Sequence, residues 1–175
     1  MSCTLSTGIS TLDCIDQVGG IETLYFTEYE NKDTTAFTLS GQQVTAMELL
    51  TGKQFWEFKV EVGSAKYDST GNRDPKGGWN AYTSVITFPV NKMGYTKSAL
   101  LKTLSQNRLM CIAKLNTGDY ILLGYNFGGF VSYNTGSGDA LASANAYSVT
   151  FTAEDKVDAY YVSSSLISAL TAPAS

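Results

Sequence analysis

The sequence contains no histidine at all. That absence removes the usual neutral-pH general base, every Ser-His-Asp or Cys-His mechanism and the commonest ligand of transition metals. Cysteine is nearly as scarce. Cys3, Cys14 and Cys111 form an odd, widely spaced set that builds neither a disulfide framework nor a four-ligand zinc site. Free thiols and a reducing, cytosolic site of synthesis are expected, with a Cys3 to Cys14 bridge as the alternative in an oxidising setting. No run of about 18 consecutive apolar residues occurs, so no membrane-spanning helix is expected. The start, "MSCTLSTGISTLDC", has neither the basic n-region nor the apolar h-region of a secretory signal. No Asn is followed two positions later by Ser or Thr, so N-glycosylation acceptors are missing too.

Phosphate-binding loops fail in the same way. "TGKQ" at 51–54 has no glycine five positions before Gly52 and no Ser or Thr after Lys53. "TGSGD" at 135–139 is a turn-forming run with no helical pattern behind it. Neither cofactor nor metal is expected. Carboxylates are the remaining route to chemistry: Asp13 with Asp16, Glu28 with Glu30, and the cluster Glu154, Asp155 and Asp158. On a strand, Glu28 and Glu30 would share a face, which permits a glycosidase-like pair. Their neighbours Tyr25, Phe26 and Tyr29 favour the solvated side of a half-buried strand instead. The Glu154 cluster falls at a turn, where acidic side chains serve local hydrogen bonding. The chain is read as no enzyme.

What is present is a composition for strands. The 175 residues include 43% hydrophobic residues, 11 Tyr and 16 Gly but only 3 Pro, enough for one ordinary domain with many tight turns. An arm over residues 1–20 precedes a single domain over 21–175. "IETLYFTEYEN" and "QQVTAMELL" give two strands. "QFWEFKVEV" alternates, placing Trp56, Phe58, Val60 and Val62 on an inward face and Glu57, Lys59 and Glu61 outside. "AYTSVITFPV" returns with Ile86, Phe88 and Val90 together, and Pro89 requires an edge or a strand end. The sixteen residues 63–78 between these strands, almost all polar or turn-forming, exceed what a hairpin needs and are expected to form a long functional loop.

"TKSALLKTLSQN" predicts one helix, with Thr96 as cap and Leu100, Leu101 and Leu104 as an apolar stripe that must dock on the sheet. "RLMCIAKLN" and "YILLGYN", joined at "NTGD", predict a hairpin apolar on both faces, one covering the core and the other lying against a further element such as the helix. "AYSVTFTAEDKVDAYYV" predicts a closing hairpin, with Tyr147, Val149 and Phe151 inward and the adjacent Tyr160 and Tyr161 pointing oppositely. The fold class is therefore all-β, a sandwich or barrel with one flanking α-helix.

Charge is unevenly spread. Residues 1–62 carry nine acids and three bases, residues 63–118 two acids and eight bases, and residues 119–175 five acids and one base. A basic middle in an acidic chain of pI about 4.7 opposes nucleic-acid binding and suits head-to-tail self-association, which generates rings or filaments.

"CTLSTGISTLDCIDQVGGI", then "KQFWEFKVEVGSAKYDSTGNRDPKGGWNAYTSVITF", the helix, the hairpin and "YSVTFTAEDK" together resemble small virion proteins of tailed bacteriophages, most closely tail tube proteins. The resemblance implies a β-sandwich subunit located in the virion tail. Copies would form hexameric, stacked rings whose inner strands close a barrel around a channel for DNA. It also implies homo-oligomeric and other tail or neck partners, DNA passing without specific binding, and no membrane. The 63–78 loop would reach the neighbouring ring, with Lys66, Tyr67, Asp68, Arg73, Asp74 and Lys76 at the interface. The 20-residue arm leaves a head-to-tail connector or tail terminator subunit open. A carbohydrate- or receptor-binding sandwich using Trp56 or Trp79 is the alternative of another class.

Overall fold

A computed structural model describes residues 19–73, 80–137 and 145–172. Its strands are β1 (Ile21–Glu28), β2 (Thr38–Ser40), β3 (Gln43–Ala46), β4 (Trp56–Lys59), β5 (Lys66–Arg73), β6 (Asn80–Asn91), β7 (Leu109–Leu115), β8 (Tyr120–Leu123), β9 (Gly129–Gly136), β10 (Ala146–Asp155) and β11 (Tyr160–Val162). The helices are α1 (Tyr95–Gln106) and α2 (Ser164–Thr171), with one turn of 3-10 helix at Tyr29–Asn31. All strands join in one curled, mostly antiparallel sheet, so the fold is an all-β barrel or sandwich flanked by short helices.

Strand β7 is the branch point. One of its borders pairs with β1 from Ile21↔Leu115 to Glu28↔Leu109, and β1 carries β4 on its far side. The other border pairs with β8 over Cys111 to Lys114, then with β9 at Leu109↔Gly129. From β8 the order runs on through β11, β3 and β2; from β9 it runs through β10, β6 and β5.

The double-sided apolarity of β7 and β8 follows from this position. Leu109, Cys111, Ala113, Ile121 and Leu123 enter a main core with residues of β1, β6, β9, β10 and α1. Met110, Ile112 and Leu122 enter a second core with Val44, Phe55, Val162, Ile167 and Leu170. The two-faced burial agrees with the sequence, but the covering elements differ. Helix α1 sends Leu101 and Leu104 into the main core, and α2, which no sequence pattern announced, covers the other face. Thr96 is not the cap of α1; Gly94 holds that position with no side-chain bond, and Leu100 is exposed.

Three further expectations are corrected. The 63–78 segment is not one long loop, because residues 66–73 form β5, paired with β6 from Lys66↔Thr87 to Arg73↔Asn80. Polar residues serve there because an edge strand with one wetted face needs few apolar ones. The strands expected to bracket the loop do not pair with each other: β4 pairs with β1 and β6 with β5 and β10. Nor does the closing hairpin form. Strand β10 lies between β9 and β6, while β11 pairs antiparallel with β8 and parallel with β3. The physical reason is that Tyr147, Val149, Phe151 and Ala153 serve the main core whereas Tyr160 and Val162 serve the second. Pro89 sits as expected: it pairs with Ser148, beyond the Lys66↔Thr87 end of β5, so one side of β6 is unclaimed there.

Candidate assembly surface

The residues singled out at 66–76 divide among different environments. Lys66 and Asp68 are two apart on β5 and therefore share a face, where they form an ion pair of 2.9 Å with both side chains mostly exposed. Such a pair contributes little to stability. Tyr67 points the other way, half-buried against the main core, and burial raises its hydroxyl pKa. Ser69 donates to Asp158 at 2.8 Å, which fastens β5 to the turn after β10. Arg73 ends β5, while Asp74 and Lys76 lie outside the described residues. Trp79 and the Cys3 and Cys14 pair also lie outside them.

Strand β5 pairs only with β6, so its second border carries no strand among the described residues. The same holds for β4 and β2, but these are four and three residues long against eight for β5. The cross-strand registers place Ser132, Thr150, Thr87 and Lys66 in one row across β9, β10, β6 and β5, with Phe130, Thr152, Val85 and Asp68 in the next. The outer face of this four-stranded sheet is thus rich in hydroxyls and poor in charge. Of the bases in the middle third, Lys66 and Arg73 belong to β5 of this sheet, whereas Lys114 pairs with Glu22 at 2.7 Å and Lys97 and Lys102 belong to α1.

The carboxylates singled out in the sequence fall in separate local environments where they are described. Strand β1 ends at Glu28 and Glu30 falls in the 3-10 turn, so the two share no strand face. Asp155 accepts from the backbone and side-chain amides of Asn126, and Asp158 from Ala159 and Ser69, which are structural tasks. Asp13 and Asp16 lie outside the described residues. Among the described residues no three Asp, Glu or Cys side chains cluster as a metal site, and no helix is long and apolar enough to cross a membrane. Cys111 is a free thiol, fully buried, and burial pushes its pKa well up, which makes it a poor nucleophile.

A cluster that sequence reasoning missed surrounds Lys32. Its ammonium lies 3.8 Å from the centre of the Tyr29 ring and 4.9 Å from that of Tyr125, and donates to the Tyr29 hydroxyl at 2.6 Å and the Tyr125 carbonyl at 2.9 Å. Arg108 stands 4.1 Å from the Tyr29 ring on the guanidinium carbon. Tyr29 and Lys32 meet because they span one 3-10 turn, but Tyr125 arrives from beyond β8, a distant pairing that no local pattern reveals. Lys32→Met, which keeps the apolar stem and removes the cation, is expected to lower stability by about 1–2 kcal/mol in urea unfolding.

The other exposed feature is a groove of about 670 Å³ between the end of β1, β4 and α1. Trp56 lines it and is 65% exposed, contrary to the inward face assigned to it. Trp56 shares its strand face with Phe58, which packs against the main core as expected, but Trp56 itself stands in the groove, and Val62, assigned to the same face, is exposed as well.

Comparison with protein-family models, with curated proteins and with solved structures finds no match for this chain. Fold and surface define the protein as an all-β domain in which the second border of β5 carries no strand among the described residues.

Proposed function

We propose that the chain is a structural subunit of a tailed-bacteriophage virion, a tail tube protein whose copies associate head to tail into stacked, hexameric rings around a conduit for DNA. Besides the resemblance in sequence pattern, the observation that carries this reading is the free border of β5. An eight-residue strand with N–H and C=O groups that no other strand among the described residues claims is a hazard in a monomer and a template for a second copy. A four-stranded antiparallel sheet begins and ends on strands of opposite direction. A rotated copy therefore meets β5 antiparallel, and the sheet continues from subunit to subunit without reversal. Lys66, Asp68 and Arg73 lie on this border strand. The hydroxyl-rich face offers few charges to hold a passing polyanion. A connector or terminator ring would use the same border, and the 20-residue arm keeps that variant of the reading open.

The border is tested with two adjacent proline substitutions. Ser69 pairs with Ser84 and Thr70 with Thr83, and along an edge strand successive N–H groups alternate between partner and free side. One of Ser69→Pro and Thr70→Pro is therefore expected to abolish rings while the monomer melts near wild type. The other removes a bond to β6 and destabilises the monomer by about 3 kcal/mol. Sedimentation velocity and negative-stain microscopy across a concentration series distinguish them. Wild-type protein that stays monomeric throughout, with or without other tail components, would refute the reading, as would two variants that assemble normally.

A further inference from the structure

We infer that the groove between β4 and α1 is a binding site for a neutral oligosaccharide. Its volume of about 670 Å³ falls in the range of ordinary ligand sites. Trp56 presents a large indole surface at the groove, with Phe58 and Leu104 completing an apolar wall. Sugar rings expose flat C–H faces that stack on such surfaces, and their hydroxyls need donors and acceptors around the margin. The groove provides that margin in uncharged form, with Gln54, Asn31 and Asn107 each able to donate and accept.

Charge narrows the ligand further. Glu28 and Lys53 are the acid and base that line the groove, so the formal charge there is zero, and neither a phosphate nor a polycation finds a complementary field. Trp56 is largely exposed although it shares a strand face with Phe58, which packs on the main core, and this leaves an aromatic surface in water beside a concave wall. The floor itself is rigid, since Phe58 meets Phe26 edge to face at 5.3 Å and Phe26 is held in the main core. The site is therefore largely pre-formed and needs little ordering to bind. This inference is independent of ring formation through β5, because none of the groove residues belongs to β5.

The test uses the full chain and a panel of neutral trisaccharides to hexasaccharides built from glucose, xylose and N-acetylglucosamine. In a Trp79→Phe background Trp56 is the sole indole. A saturable shift of its emission with at least one panel member is expected. By calorimetry, Trp56→Ala should weaken that binding about tenfold or more, Trp56→Phe should retain most of it, and Gln54→Ala or Asn107→Ala should each weaken it several-fold. Circular dichroism of every variant should match wild type. Absence of binding to the whole panel overturns the inference, as does equal binding by Trp56→Ala. Preferential binding of sulfated oligosaccharides overturns it as well. A Trp56→Ala variant that binds no less sugar but forms smaller assemblies assigns the groove to contact between copies instead.

Discussion

Phe26→Ala is expected to remove about 3–5 kcal/mol of unfolding free energy. Phe26 is 1% exposed on β1, and its ring meets three others: Phe58 of β4 at 5.3 Å, Phe151 of β10 at 5.5 Å and Phe88 of β6 at 6.1 Å between centroids. The first and third partners lie in opposite halves of the curled sheet, so the ring is where the β4–β1–β7 half meets the β9–β10–β6–β5 half. Its removal leaves a cavity bounded by other rings that cannot collapse inward without breaking their own contacts. Each aromatic pair adds about 0.5–1.5 kcal/mol beyond the area it buries. A domain of this size has about 5–15 kcal/mol in total, so the variant should be near unfolding at moderate urea concentrations. Phe26→Leu keeps most of the volume and should cost clearly less. Phe130→Ala, at a position 61% exposed, should fall within about 0.5 kcal/mol of wild type. Urea unfolding followed by far-ultraviolet circular dichroism measures all three. A loss below about 1 kcal/mol for Phe26→Ala would contradict its place at the junction of the two halves.

The parts of this fold that the sequence reveals are those where periodicity reports burial. Tyr147, Val149 and Phe151 alternate inward on β10, Ile86 and Phe88 do so on β6, and the two-sided apolar run of β7 does separate two cores. Pairing is less visible, because burial says which face is inward but not which strand lies beside it. The β10 to β11 segment illustrates this: its turn residues suit a hairpin, yet the inward residues of its two strands belong to different cores, and that fact exists only in three dimensions. Strand β5 escaped notice because its outer row, with Lys66, Asp68 and Thr70, carries no apolar signal and its inner row contributes mainly Tyr67. Helix α2 is one short, Ser-rich turn pair whose Ile167 and Leu170 spacing is too brief to stand out. At the candidate surface, the sequence places Lys66, Tyr67 and Asp68 on one segment but not their division between two faces. The groove joins β1, β4 and α1, elements far apart in the chain, so the alternation at 55–62 correctly pairs Trp56 with Phe58 on one face but does not show that this face opens into a groove at Trp56.

Gly129→Ala is expected to cost about 3 kcal/mol or more, although it adds only a methyl group and its backbone is not in the left-handed region. Gly129 is the residue by which β9 leaves β7 and joins β10, facing Leu109 on one side and Ala153 on the other. A Cβ there would stand 2.4 Å from Cζ and 2.6 Å from Cε2 of the Phe151 ring, and 2.8 Å from the backbone carbonyl oxygen of Thr152. Phe151 cannot yield freely, since it is fully buried and packed edge-on against Phe26. The carbonyl belongs to the β10 ladder and cannot yield without parting the strands. Overpacking must therefore be relieved by moving the β7 to β9 junction, from which the whole β9–β10–β6–β5 sheet hangs. Gly136→Ala provides the control on the same strand: nothing lies within 4 Å of its Cβ position, so it should be neutral or raise stability by up to about 1 kcal/mol. Adding Phe151→Leu to Gly129→Ala removes the ring atoms that clash, and the double variant should lose less than the sum of the two single losses by more than about 0.5 kcal/mol. Thermal and urea unfolding of the four variants decide the matter, and additive losses, or a Gly129→Ala as benign as Gly136→Ala, would mean that the ring does not occupy the space at the junction.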